Sequence, residues 1–165
     1  MFKLKSISKQ SIPAALAKAD HYRLLNEPRA AESICLDVLE IEPNHHTALK
    51  TWLLALTDQF TSDGAARRME QAKQLLPRLS AYEQKYYAGI IAERFARHQL
   101  ELGHPGANGS AYAYLCDAMK FYDEANELAA EGNDEAVLRY NTCVRTISWH
   151  RLVPAQLDEQ EPQLE

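Results

Sequence analysis

The sequence predicts an all-α protein of about seven helices that pair as antiparallel hairpins. Glycine and proline are scarce, at 6 and 7 of 165 residues, and most stand between segments rich in good helix formers such as Ala, Leu, Glu and Lys. No segment alternates apolar and polar residues for the length of a half-buried strand. Pro43 and Pro77 are 34 residues apart, which is the period of a repeated helix–turn–helix unit.

The first hairpin is predicted over residues 12–41. Its first helix spans about 12–25, with Ser11 as a candidate N-cap and Pro13 in the first turn, where the missing amide is harmless. The second helix spans about 28–41 and ends before Pro43, because the residue before a proline resists helical geometry. Its apolar residues recur on one face: Ala31, Ile34, Cys35, Val38 and Ile41.

The next three helices follow from caps and prolines. A third helix is predicted from about Thr47 and a fourth over about 65–76, ending at Pro77. Ser80 and Glu83 have the spacing of a capping box, in which the serine caps a backbone amide and the glutamate reaches back. They predict the start of a fifth helix that runs to about residue 102.

The end of the chain is predicted to hold two more helices. Residues 103–109 are rich in glycine and predict a loop, after which Ser110 caps a sixth helix that ends near Gly132. Asn133 or Asp134 caps a seventh helix, which stops before Pro154. We therefore expect a single domain over 12–153, a flexible N-terminal arm over 1–11, and an acidic tail over 154–165 that is disordered because it lacks apolar periodicity.

The two 34-residue units resemble the tetratricopeptide repeat (TPR) family. The match is good over 12–79, although Leu53, Val38 and Lys18 there depart from the family's preferred residues, and it is loose over 80–152. The resemblance implies hairpins stacked as a short right-handed superhelix. Small residues in this family let neighbouring helices approach closely, and prolines end each unit. The positions that carry the resemblance are Ala19, Tyr22, Ala31, Pro43, Ala65, Ala72 and Pro77.

The resemblance also implies a concave groove lined by the first helix of each hairpin, where a peptide segment or a partner helix binds. Some family members hold a terminal carboxylate there with lysine, asparagine and arginine. In this chain Leu16 and Asp20 take the first of those positions, and an aspartate would repel a carboxylate. An amphipathic segment therefore fits better. The implied groove residues are Leu16, Asp20, Arg23, Lys50, Leu54, Thr57, Gln84, Ala88 and Ile91.

Composition limits the classes of partner and site. A net charge of -5 disfavours nucleic acid and anionic membrane surfaces, which both attract clustered positive charge. Three widely spaced cysteines form no zinc motif or disulfide framework, so we expect Cys35 and Cys143 to be buried and unreactive in a cytoplasmic protein. The six histidines show no metal-ligand spacing, and no catalytic dyad stands out.

These observations predict a non-enzymatic scaffold or adaptor that binds a protein or peptide and needs no cofactor or metal. Two alternatives stay open. A helical enzyme or small-molecule-binding domain would use the tyrosine-rich second half of the chain. A structural subunit would self-associate through its terminal helices, forming a homodimer.

Overall fold

The computed structural model describes residues 2–61 and 63–155, and within these ranges the chain forms seven α-helices and no strand. The all-α prediction is thereby confirmed. Short 3-10 turns, Lys9–Ser11 and Leu76–Arg78, precede the first and fifth helices. The helices are α1 (Ile12–Leu24), α2 (Pro28–Ile41), α3 (His46–Thr57), α4 (Ala65–Leu75), α5 (Ala81–Leu102), α6 (Ala107–Glu127) and α7 (Glu135–His150).

Each helix packs against the next along the chain, as short connections between antiparallel neighbours require. In addition, α1 contacts α3 and α3 contacts α5, so the odd-numbered helices form a row. The side chain of Arg139 on α7 extends this row, because it lies 3.1 Å from Glu93 on α5. None of the helices in the described ranges is long and apolar enough to cross a membrane.

The core has two large parts. One lies among α3, α4 and α5 around Leu53, Phe60 and Phe95, and the other lies among α5, α6 and α7 around Leu115 and Tyr122. Burial here is what stabilises the helices, because isolated helices of this length are marginal in water. Ala31 and Ala65, the small residues of the repeat, are both buried.

The cysteine prediction is confirmed for burial. Cys35 and Cys143 are fully buried and free, and Cys116 is half-buried. Burial raises the pKa of both the Cys35 and Cys143 thiols to about 12. A thiol with so high a pKa carries little of the reactive thiolate at neutral pH.

The helix ends agree only in part with the sequence. Ser80 and Glu83 form the predicted capping box at the start of α5. Ser11 does not cap α1, because its hydroxyl donates instead to the Ser8 carbonyl at 2.7 Å. Asn133 Oδ1 accepts from the amide of Glu135 at the start of α7, at 3.2 Å.

The sixth helix is displaced from its predicted bounds. It begins at Ala107, three residues before Ser110, because Gly106 adopts a left-handed φ of 84° and turns the chain directly into the helix. It ends at Glu127 rather than near Gly132, since residues 128–134 reverse the chain into α7. The predicted arm of residues 1–11 holds the 3-10 turn, and all but residues 154 and 155 of the predicted tail 154–165 lie outside the described residues.

Candidate functional site

The row of odd-numbered helices presents one continuous surface, which we call the odd-helix face. It carries two shallow pockets of about 260 and 240 Å³ that share Arg94. The larger pocket lies over the C-terminal ends of α1 and α3 and the second half of α5. The smaller lies between α3, α5 and α7. The face is defined by Arg23, Leu54, Asp58, Tyr87, Arg94 and Arg139.

Two guanidinium groups hold a single carboxylate at the centre of this face. Arg23 Nε donates to Asp58 Oδ2 at 2.7 Å, and Arg94 Nη1 donates to the other oxygen, Oδ1. The same Arg94 nitrogen also donates to Thr57 Oγ1 at 2.7 Å and to the Leu54 carbonyl at 3.3 Å. The cluster therefore ties α1, α3 and α5 together. Its charged side chains are 19–22% exposed, so water reaches them only at their edges.

The larger pocket holds more positive than negative side chains. Arg23, Arg94 and Arg97 line it, against the carboxylates of Asp58 and Glu101. Burial lowers the pKa of Arg94 from its ordinary value, and the neighbouring charge of Arg23 adds to that effect. Asp58 opposes it. A guanidinium whose charged form is disfavoured in this way would be stabilised by a further anion.

The smaller pocket is aromatic and aliphatic at its base. Leu54, Tyr86, Tyr87 and Ile90 line it, with Glu135 and Arg139 of α7 at the rim. Burial raises the pKa of Tyr87 to about 12, so its hydroxyl stays protonated. The base suits an apolar side chain, and the tyrosine hydroxyls and rim charges suit a polar backbone.

A second charged cluster lies at the start of α5. His46 Nε2 is 2.7 Å and Lys50 Nζ 3.3 Å from the Glu83 carboxylate, which also completes the capping box with Ser80. Burial alone would raise the pKa of Glu83. The hydrogen bonds from His46, Ser80 and Lys50 outweigh burial and lower the pKa to about 2. The cluster joins α3 to α5.

The structure brings together some of the nine predicted groove residues. Arg23 and Leu54 line the pockets of the odd-helix face, Thr57 lies beneath them, and Lys50 is half-buried beside Glu83. Asp20 is exposed and accepts a hydrogen bond from Thr51 at 3.3 Å, linking α1 to α3. Leu16, Thr57 and Ile91 are buried, so they offer little surface to a partner.

The third set, Gln84, Ala88 and Ile91, lies on a different side of α5. These residues line an apolar cleft of about 480 Å³ between α4 and α6, which we call the α4–α6 cleft. Leu79 and Ser80 have extended backbone between the 3-10 turn and α5, so α5 begins as a separate helix whose phase is not set by the 34-residue spacing. Residues one place earlier, Glu83 and Tyr87, face the odd-helix side. Other residues lining the cleft include Met69, Leu76, Tyr114 and Phe121.

The tyrosine-rich second half packs mainly on itself. Tyr122 is fully buried, and its hydroxyl donates to the buried Glu93 carboxylate at 2.7 Å. Burial raises the pKa of Tyr122, and Glu93 raises it further. Arg139 supplies the opposite charge from α7. The rings of Tyr82 and Tyr86 stack 5.7 Å apart against this core.

Sequence reasoning did not find Asp58, Arg94, Glu93 or Arg139. One signal was present for Arg94: residues 83, 87, 90 and 94 recur at helical spacing on one face of α5. Asp58 gave no local signal, because it stands just past the end of α3. Among the described residues, no group of three or more His, Cys, Asp or Glu side chains is arranged to hold a metal ion.

No protein-family model, curated protein or solved structure matches this chain.

Proposed function

We propose that this chain is a non-enzymatic adaptor built from TPR-like hairpins, which binds a segment of a partner protein along the odd-helix face. The observation that carries the proposal is the pair of adjoining pockets that share Arg94. One is rich in arginine and the other is apolar at its base. A segment with an acidic side chain next to an apolar one would fill both pockets.

The acidic side chain would sit among Arg23, Arg94 and Arg97. Guanidinium groups recognise carboxylates through paired hydrogen bonds, and among the described residues Arg23 and Arg94 each use one nitrogen in bonds to the protein. The apolar side chain would contact Leu54 and Tyr87. Unpaired thiols suit a reducing compartment, and we propose a cytoplasmic location.

A displayed library of random peptides, selected on the folded protein, tests the proposal. We expect the selected peptides to share an acidic residue beside an apolar or aromatic residue. Arg97 is exposed and forms no ion pair with another residue in the ranges 2–61 and 63–155, so Arg97→Glu should leave the fold intact. It should weaken the affinity for the selected peptides by about tenfold, because it places a negative charge where the acidic side chain of the peptide would bind.

The matched control is Arg67→Glu, the same reversal of an exposed arginine on α4. It should bind the selected peptides as the wild type does. Equal binding by wild type and Arg97→Glu would contradict the proposed site. If Ala88→Arg loses binding while Arg97→Glu keeps it, the peptide binds in the α4–α6 cleft and the odd-helix proposal is wrong.

A further inference from the structure

The last helix, α7, has apolar residues on two sides. Its inner side packs on α5 and α6 through Ala136, Tyr140, Cys143 and Ile147. Its outer side carries Val137, Leu138, Val144 and Trp149, which are 37%, 64%, 43% and 73% exposed. At 100° per residue these four lie within one sector of the helix, with Asn141, Arg145 and Ser148 between them. We call this sector the outer α7 face.

A helix side that no other element covers usually carries polar residues toward water. The outer α7 face departs from that rule, since a tryptophan and a leucine are largely exposed on it. Large exposed apolar side chains that share one helix face are typical of a surface that another element covers.

The charges of α7 indicate what that element is. Acidic side chains, Asp134 and Glu135, stand at its N-terminal end, and basic ones, Arg145 and Arg151, stand in its C-terminal half. All four are exposed. A second α7 laid antiparallel would bring each acidic end beside a basic end, and it would also oppose the two helix dipoles favourably. A parallel arrangement would bring like charges together.

We propose that the outer α7 face joins two copies of this chain through an antiparallel α7–α7 pair. With the two helices fully overlapped about a two-fold axis near residue 143, Trp149 of one copy packs on Val137 and Leu138 of the other. In the same register Glu135 is level with Arg151 of the second copy along the axis of the pair. The contact is isologous, so both halves form at once.

Sedimentation or light scattering over a range of concentrations tests this proposal. A single helix face buries little area, so the dimer should be weak, and the mass should rise from 18.7 kDa toward twice that value only at micromolar concentrations or above. Leu138→Glu combined with Trp149→Glu should stay monomeric throughout. Both side chains are exposed, so the circular dichroism of this variant should match the wild type.

The matched control is Leu36→Glu on α2, where an exposed leucine lies far along the chain from α7. This variant should dimerise as the wild type does. A wild-type mass that stays at 18.7 kDa at every concentration would overturn the proposal. So would dissociation of Leu36→Glu to the same degree as the α7 variant.

Exchanging the charges of Glu135 and Arg151 tests whether the two α7 helices pair antiparallel. Glu135→Arg and Arg151→Glu should each weaken the dimer by about tenfold, because each places like charges together. The two changes in one chain restore opposite charges across the axis and should restore the dimer. If the double variant is as weak as the single ones, the antiparallel register is wrong.

Discussion

Gly89 marks a close approach between α5 and α6. A Cβ atom at this position would lie 2.4 Å from Cε1 and 2.7 Å from Cδ1 of Tyr122. The ring cannot move aside easily, because Tyr122 is fully buried and its hydroxyl is bonded to Glu93. The glycine therefore allows the helices to approach, although it disfavours helix formation.

Gly89→Ala should consequently destabilise the protein. An alanine favours the helix by about 1 kcal/mol over glycine, but overpacking a closed core costs about 1–3 kcal/mol. We expect a net loss in the free energy of unfolding, measured by urea denaturation. In a Tyr122→Leu background the ring is gone, and there Gly89→Ala should be neutral or stabilising. The same loss in both backgrounds would mean that the ring is not the obstacle.

Single residues were predictable from sequence only where the signal is local. The burial of Cys35 and Cys143 followed from their place on apolar helical faces, and the capping box at Ser80 followed from spacing. The contact between Gly89 and Tyr122 joins residues 33 positions apart on two helices. Local sequence patterns do not determine how those helices are aligned against each other. Asp58 and Arg94 meet for the same reason: only the packing of α3 on α5 brings them together.

At the scale of elements, Glu83 both starts α5 and fastens it to α3. Its pKa of about 2 lies below the ordinary value of 4.5, so the folded state favours the carboxylate. A lowered folded-state pKa gives stability that is complete above about pH 4.5. That stability is lost as the pH falls toward 2.

Glu83→Gln should therefore be less stable than the wild type at neutral pH, by about 1–2 kcal/mol after allowance for solvent screening. The difference should shrink below about pH 4 and become small near pH 2, where half of the wild-type carboxylate is protonated. Thermal melting of both proteins from neutral to acidic pH measures this. A difference that does not change with pH would contradict the assigned pKa.

The bounds of most helices could be predicted from the sequence. The sequence did not predict which residues of α5 face the odd-helix side. The 34-residue period gave α1 to α4 within a few residues, because prolines and small residues repeat there. It failed to carry the groove positions into α5, since the extended residues Leu79 and Ser80 break the helix and let α5 start in a different phase. Gln84, Ala88 and Ile91 face the α4–α6 cleft.

In the whole molecule, the main contacts among the described residues join helices that are consecutive or two apart along the chain. Asp58 is the place where three of them meet, because its carboxylate binds Arg23 from α1 and Arg94 from α5 at the end of α3. On the other side of α5, Glu93 joins Tyr122 of α6 and Arg139 of α7. Asp58 thus joins α1 and α3 to α5, and Glu93 joins α5 to α6 and α7.

This arrangement predicts a local response to the loss of Asp58. Asp58→Asn keeps the shape but removes the charge, which leaves Arg23 and Arg94 close together without their shared counter-ion. We expect a loss of about 1–3 kcal/mol in the free energy of unfolding, below the figure for a fully buried pair because these side chains are 19–22% exposed. The control Glu101→Gln removes an exposed carboxylate from the same pocket and should change stability little.

Amide hydrogen exchange would locate the effect along the chain. The described helices pack mainly on those next to them or two away along the chain, so the loss should act most strongly where the missing charge was bound. In Asp58→Asn, exchange should accelerate in the last turns of α1 and α3. The amides of α6 and α7, which Glu93 still joins to α5, should keep their protection. Equal acceleration in all seven helices would show instead that the chain unfolds as one cooperative unit, and that Asp58 has no local role.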